Sequence, residues 1–144
     1  MFKQEGPEAL ISVHDLVVQT LVRKSFPVTM SLESLTEGFQ ARPDSYLIFS
    51  VYDGPQLIAA AVSLVINNSI LYNFYHGDHQ NYRNFSPTVM LLEGIYKYCQ
   101  KNNYSILDLG ISSEKGITNE GLFNFKQNLG CESSPKHIFS KFIA

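Results

Sequence analysis

The sequence predicts an α+β fold in three layers: a mixed, mostly antiparallel sheet with one parallel βαβ crossover and helices on both faces. Three observations carry this prediction. Two stretches of helical periodicity come before any strand-like run. Three apolar runs then follow within about thirty residues, joined by tight-turn sequences. Finally, Ile70 to Gly130 reads strand, loop, helix, strand, loop, helix, and strand–helix–strand on that scale implies a right-handed parallel crossover.

Taken in order, residues 1–9 are polar, contain Gly6 and Pro7, and are left unassigned. From Ser12, the residues Val13, Leu16, Val17, Leu21 and Val22 repeat at helical spacing, with Ser12 and Asp15 placed as a capping box, and this helix runs to about Ser25. Pro27 breaks it. Ser31 caps a second helix with Leu32, Leu35 and Phe39 on one face, ending before Pro43. Asp53-Gly54-Pro55 joins strands 46–52 and 56–67 into an antiparallel hairpin. The second of these is apolar on both faces from Leu57 to Ile66, apart from Ser63, and so belongs at the centre of the sheet. Asn67-Asn68-Ser69 turns the chain into strand 70–76.

Ser86 and Pro87 suit the cap and first position of a helix running to about Asn102, which leaves first-turn N–H groups to hold an anion or a polarised carbonyl. Its buried stripe is Thr88, Leu91, Leu92, Ile95, Tyr98 and Cys99, and Glu93 with Lys97 forms a solvated pair on the opposite face. A strand from Tyr104 to Ile111, a Gly- and Asn-rich loop, a helix from about Asn119 to Leu129 closed by Gly130, and a final strand Lys136 to Phe142 complete the order. No internal repeat or low-complexity linker interrupts it, so residues 1–144 are expected to form a single domain.

Composition limits what such a domain does. With 44% hydrophobic and 17% charged residues, ten Phe and eight Tyr, the chain buries an aromatic-rich core rather than remaining disordered. The net charge of −2 is spread along the chain, so no basic block is present to neutralise DNA. The first fifteen residues lack a secretory pattern, and the longest apolar run is about half the ~20 residues of a membrane span. A soluble, cytoplasmic protein is expected. Its two cysteines, Cys99 and Cys131, form neither a disulfide framework nor a zinc pattern.

Ligand sites in open α/β sheets lie beyond the carboxyl ends of parallel strands. Here those ends carry His76, Asp78, His79, Tyr82, Asp108, Ser112, Ser113 and Asn119, the densest group of side-chain donors and acceptors in the chain. His76 and His79 with Asp78 have no third ligand at motif spacing, so no metal is expected.

The element order resembles the GNAT acyltransferase fold, and Tyr72 to Gly130 resembles its Fem-like branch more narrowly. The matching residues are Tyr75 with the polar loop after it, Ser86-Pro87, Leu91-Leu92-Glu93, Ile95, Tyr98, Asp108-Leu109-Gly110, Phe125-Lys126 and Leu129-Gly130. The resemblance implies an N-acyltransferase that moves an acyl or aminoacyl group from a thioester or aminoacyl donor to a small-molecule or peptide amine. It also implies that two parallel strands splay apart and that the donor pairs with the backbone of the first, Tyr72, Asn73 and Phe74. His76 or Asp78 would take the amine proton, Asp108 would bind the acceptor's ammonium group, and Tyr75 would act as an acid. Tyr82, Arg83, Ser86, Ser112, Ser113, Asn119 and Lys126 would line the site. Each has a structural alternative: core aromatics, turn and cap residues, a surface lysine, and an Asp bonded to loop N–H groups.

Two departures stand out. CoA-using GNAT enzymes carry a Gly-rich pyrophosphate loop, whereas this chain has Gly77-Asp78-His79-Gln80-Asn81-Tyr82-Arg83-Asn84-Phe85. Either the donor is not CoA, as in Fem-like enzymes that use charged tRNA, or CoA binds weakly, or activity is lost. Further, Fem-like proteins pair two such units, whereas this chain has one and no evident strand before its first helix. A homodimer would supply the missing half through the exposed sheet edge. The alternatives to an enzyme are a catalytically silent module of this fold and an accessory subunit of a larger transferase.

Overall fold

The computed structural model describes residues 1–143, which fall into two compact units, Met1–Gly110 and the chain from Ile111 onward. The first unit is a five-stranded sheet in the order β1 (Phe2–Glu5), β2 (Tyr46–Asp53), β3 (Gln56–Asn67), β4 (Ile70–Asp78), β5 (Ile106–Asp108). The first three pairings are antiparallel, and β4–β5 is parallel. Helices α1 (Leu10–Arg23) and α2 (Leu32–Ala41) precede the β2–β3 hairpin, and α3 (Pro87–Lys101) forms the crossover between β4 and β5.

The sheet has a packed layer on each face. On one, Leu10, Val13, Leu16 and Val17 of α1 and Leu35 of α2 bury Ile48, Ala60, Val62 and Tyr75. On the other, Phe49 meets Tyr98 of α3 edge-on at 5.0 Å between ring centres. As anticipated for a strand covered on both sides, Ile58 to Ser63 of β3 are all buried. Ser31 caps α2 by accepting a hydrogen bond from the Ser34 N–H, as its position in the sequence implied.

Several expectations are corrected. A strand does precede the first helix: β1 pairs with β2 from Phe2↔Val51 to Glu5↔Ile48, covering the edge on which the dimer argument rested. Its anchor is Phe2, stacked on Phe49 and seated where a Cβ on Gly94 of α3 would fall. Helix α1 begins at Leu10, after a 3-10 turn at Pro7–Ala9, and Ser12 bonds back to the Ala9 carbonyl rather than capping. Ser86 makes no side-chain cap either. It sits in the left-handed region at φ 52, after a 3-10 helix at Gln80–Phe85, and its carbonyl accepts from Val89 N and Met90 N.

Strand β5 is shorter than its apolar run, because Asn103 is left-handed before it and the Asp108 side chain turns the chain at Gly110 after it. In the second unit, β6 (Ser113–Glu114) and β7 (Ile117–Thr118) form a small hairpin before α4 (Glu120–Asn128). Residues 131–143 adopt no regular structure, so the closing strand expected from Lys136 to Phe142 does not form. Apolar side chains at 138, 139, 142 and 143 do not supply the ladder partner that a strand's N–H and C=O groups need.

Gly77 sets how closely α1 approaches β4. A Cβ there would stand 2.8 Å from Leu16 O, Val17 Cα and Thr20 Oγ1. Two of these atoms are backbone, so Gly77→Ala is expected to destabilise the protein by about 1–3 kcal/mol, read as a lower denaturant midpoint at unchanged slope.

Candidate functional site

Strand β4 is paired on both sides only at its start. β5 matches it at Ile70↔Ile106, Leu71↔Leu107 and Tyr72↔Asp108, and then β5 ends while β4 continues six residues to Asp78. Over that second half, β3 is its only ladder partner among the described residues, so the parallel pairing opens beyond Tyr72, where β5 ends.

Within this opening β4 carries a bulge. Val62 faces Tyr75 and Ser63 faces Asn73, leaving Phe74 as an extra residue. The bulge puts two successive rings, Phe74 and Tyr75, on the α1 face, stacked at 5.7 Å. It also puts Asn73 and His76, three apart, on the opposite face, where Asn73 Nδ2 lies 3.3 Å from His76 Nδ1. Asn73 Oδ1 accepts from Ser63 Oγ at 3.5 Å. Tyr75 therefore points away from His76, and its buried hydroxyl has no hydrogen-bond partner among the described residues. Burial pushes its pKa up, so the phenol stays protonated at neutral pH.

Asp78 ends the strand. Its Oδ1 pairs with Arg23 Nη2 at 2.9 Å, and its Oδ2 lies 3.8 Å from Arg83 Nε. Its backbone is held as well: the N–H donates to Thr20 Oγ1, and the carbonyl accepts from Thr20 Oγ1 and Arg23 Nη1. A carboxylate shared between two guanidiniums is poorly placed to take a proton from a substrate, and this geometry makes it a clamp between α1 and β4.

The remaining candidates divide between the units. In the first, Tyr82 packs edge-on against His79 at 5.4 Å and neighbours Phe85, Arg83 is 62% exposed, and Tyr72 lies beside Phe74. Asp108 Oδ1 accepts from Gly110 N at 2.7 Å, the loop-turn alternative. In the second unit, Asn119 caps α4 through Leu122 N and donates its own N–H to the Ser112 carbonyl. Lys126 Nζ donates to Ile111 O, and Ser113 lies in β6. Sequence reasoning missed Thr20 and Arg23, which carry no local signal, and the partnership of Ser63, which does: a lone hydroxyl in an apolar run.

The N-terminus of α3 offers little to an anion. Pro87 has no N–H, and Val89 and Met90 both donate to the Ser86 carbonyl, so Thr88 alone keeps a first-turn amide without a backbone partner. Among the described residues, no three His, Cys, Asp or Glu side chains gather as a metal site, and no helix is long and apolar enough to cross a membrane. Cys99 lies in the core with its thiol pushed up to about 11 by burial.

The model of the FemAB family matches residues 31–133, well over half of the chain. No sequence among curated proteins matches. The fold is that of acetyltransferases of known structure. A possible acetyltransferase from Clostridium difficile 630 superposes with a TM-score of 0.72 at 11% identity, covering 100% of this chain and 97% of the other. AAC(6')-Iy, in complex with the bisubstrate analogue CoA-S-monomethyl-acetylneamine, gives 0.71 at 14% identity over 100% and 98%. The aminoglycoside 6'-N-acetyltransferase AAC(6')-IG from Acinetobacter haemolyticus gives 0.67 at 17% identity over 100% and 99%.

Two outcomes test this geometry. Arg23→Met leaves Asp78 buried with only its longer Arg83 contact and is expected to destabilise the protein by about 3 kcal/mol, and Arg23→Met combined with Asp78→Asn by less. Alkylation by iodoacetamide at pH 8, followed by mass spectrometry, is expected to modify Cys131 well before Cys99. Cys99 is buried, and raising its thiol from 9 to about 11 cuts its thiolate roughly 100-fold, whereas Cys131 is only partly buried.

Proposed function

Because this chain belongs to the FemAB family, we propose that it is an N-acyltransferase moving an acyl group from a thioester donor to the nitrogen of a small-molecule or peptide amine. The observation that carries this reading is the end of β4–β5 pairing at Tyr72, which leaves the second half of β4 with a ladder partner on one side only among the described residues. An extended donor arm bearing amide groups can add to such an edge as a further strand would. Acetyltransferases of the same fold, one of them solved with a CoA-containing bisubstrate analogue, support a thioester as the donor.

In the reaction the amine nitrogen attacks the donor carbonyl carbon, and a tetrahedral oxyanion forms and collapses. The C–N bond replaces the C–S bond, and the proton lost by nitrogen balances the one taken up by the leaving thiolate. We assign His76 to this chemistry, since it is the imidazole on β4 beyond the point where β5 ends. Asp78 positions the strand, and Arg83 with Tyr82 binds the donor beyond it. Asp108 ends β5 and faces the acceptor.

With one first-turn amide on α3, donor affinity rests on the amide arm more than on a diphosphate. In thermal unfolding, acetyl-CoA and the fragment S-acetyl-N-acetylcysteamine, each near 100 times its dissociation constant, are expected to add ~2.7 kcal/mol, a midpoint shift of several degrees. Acetyl transfer to a panel of primary amines should accompany binding. No shift with either compound overturns the thioester donor and leaves an aminoacyl donor. Binding without transfer leaves a silent module or an accessory subunit.

A further inference from the structure

We infer that Ser63 and Asn73 form a positioning pair that fixes the tautomer of His76, keeping the imidazole proton on Nε2 so that His76 serves the reaction as a hydrogen-bond donor and not as its base. The role in the reaction rests on the acyltransferase reading; the tautomer does not.

Both residues are anomalies in an apolar layer. Ser63 is 0% exposed in the middle of β3, and Asn73 is 4% exposed directly across from it. Buried hydroxyl and amide groups persist in such a layer when they are paired, since leaving one unpaired forfeits its hydration. Here they pair in a chain. The Ser63 hydroxyl donates its single hydrogen to Asn73 Oδ1. With Oδ1 turned toward Ser63, the amide's other end, Nδ2, lies 3.3 Å from His76 Nδ1. An amide NH₂ only donates, so Nδ1 is the acceptor, and a neutral imidazole with Nδ1 accepting carries its proton on Nε2. Turning the amide over would make Ser63 the acceptor and leave the hydrogen of its fully buried hydroxyl without a partner among the described residues, so the orientation with Oδ1 toward Ser63 is favoured. The bulge at Phe74 is what makes this relay available, because without it positions 73 and 76 would lie on opposite faces of the strand.

An Nε2–H donor matches the need of the tetrahedral oxyanion. As the amine adds to the carbonyl, negative charge gathers on the oxygen and is met by a hydrogen bond already in place. The amine enters as the free base, and the proton it sheds passes through solvent to the leaving thiolate.

The test is nitrogen-15 NMR of histidine-labelled full-length protein at a pH where His76 is neutral, with the His76 signals identified by their loss in His76→Gln. The expected pattern is Nδ1 as the unprotonated, pyridine-like nitrogen and Nε2 as the protonated one. A protonated Nδ1 in the wild type overturns the proposal, and that measurement depends on no variant's folding. In Asn73→Asp, the carboxylate accepts from Nδ1–H, so the protonated nitrogen should switch. With the donor lost from Nε2, kcat should fall about 10²–10³-fold, the usual loss for an oxyanion donor. Ser63→Ala, the milder change, should release the amide and give a mixture of tautomers. Unchanged tautomers in both variants overturn the pair's role. The expected tautomer in a protein without transferase activity would leave the pair standing and remove only the acyltransferase reading.

Discussion

The structure depends on holding the second half of β4 in place after β5 has left it. A strand with a neighbour on one side only has an unpaired edge along its length, and little in the sheet itself prevents its end from fraying. In this protein the restraint comes from α1. Gly77 lets the helix backbone approach as close as a missing Cβ allows, and one turn of that helix then supplies Thr20 and Arg23 to the backbone and carboxylate of Asp78. Neutral hydrogen bonds contribute roughly 1 kcal/mol each and the charge-assisted ones more. The apolar layer beneath contributes far more in total and sets the register, and the clamp adds directional bonds that hold the strand's end.

The bulge uses that fixed position to sort side chains. Because Phe74 is the extra residue, the aromatic pair Phe74 and Tyr75 goes to the α1 core, while Asn73 and His76 come together on the α3 face. Tyr75 is thereby committed to packing, with its hydroxyl raised in pKa by burial, and His76 becomes the imidazole within reach of the opening. One inserted residue thus separates the packed aromatic pair from the polar pair along a strand whose sequence alternates no such division.

How much of this was legible follows from the range of each interaction. The Ser31 cap, the Asp53-Gly54 turn, the Pro87 start of α3 and the Asn119 to Gly130 helix are local, and the sequence shows each directly. Strand β1 was not legible, because Phe-Lys-Gln-Glu at an edge buries its two ends only in part, and the space for Phe2 is made by Gly94, far along the chain. The tail beyond Gly130 was over-read for the converse reason: apolar residues of strand-like type do not specify a partner. At the site, His76 and Asp78 read alike as polar residues at a strand's end. What distinguishes them is Arg23, 55 residues earlier, which claims Asp78. The bulge was hidden because Tyr72, Phe74 and Tyr75 are all aromatic, so no hydrophobic period breaks where the phase changes.

The same logic bears on the donor. A helix N-terminus recognises phosphate through amides that nothing else has claimed, and at α3 a proline and the left-handed Ser86 leave one. Arg83 brings a positive charge nearby, but it is drawn toward Asp78, and the chain as a whole is weakly acidic. In the proposed reading, recognition of a highly charged group is therefore thin here, and an extended amide-bearing arm would rely on the six residues of β4 beyond the last β5 pair. Affinity built this way would depend on the strand's being held in its bulged path before a ligand arrives, which returns the burden to Gly77, Thr20 and Arg23. In the proposed reading the residues that clamp the strand from α1 would set how tightly a donor is held without touching it.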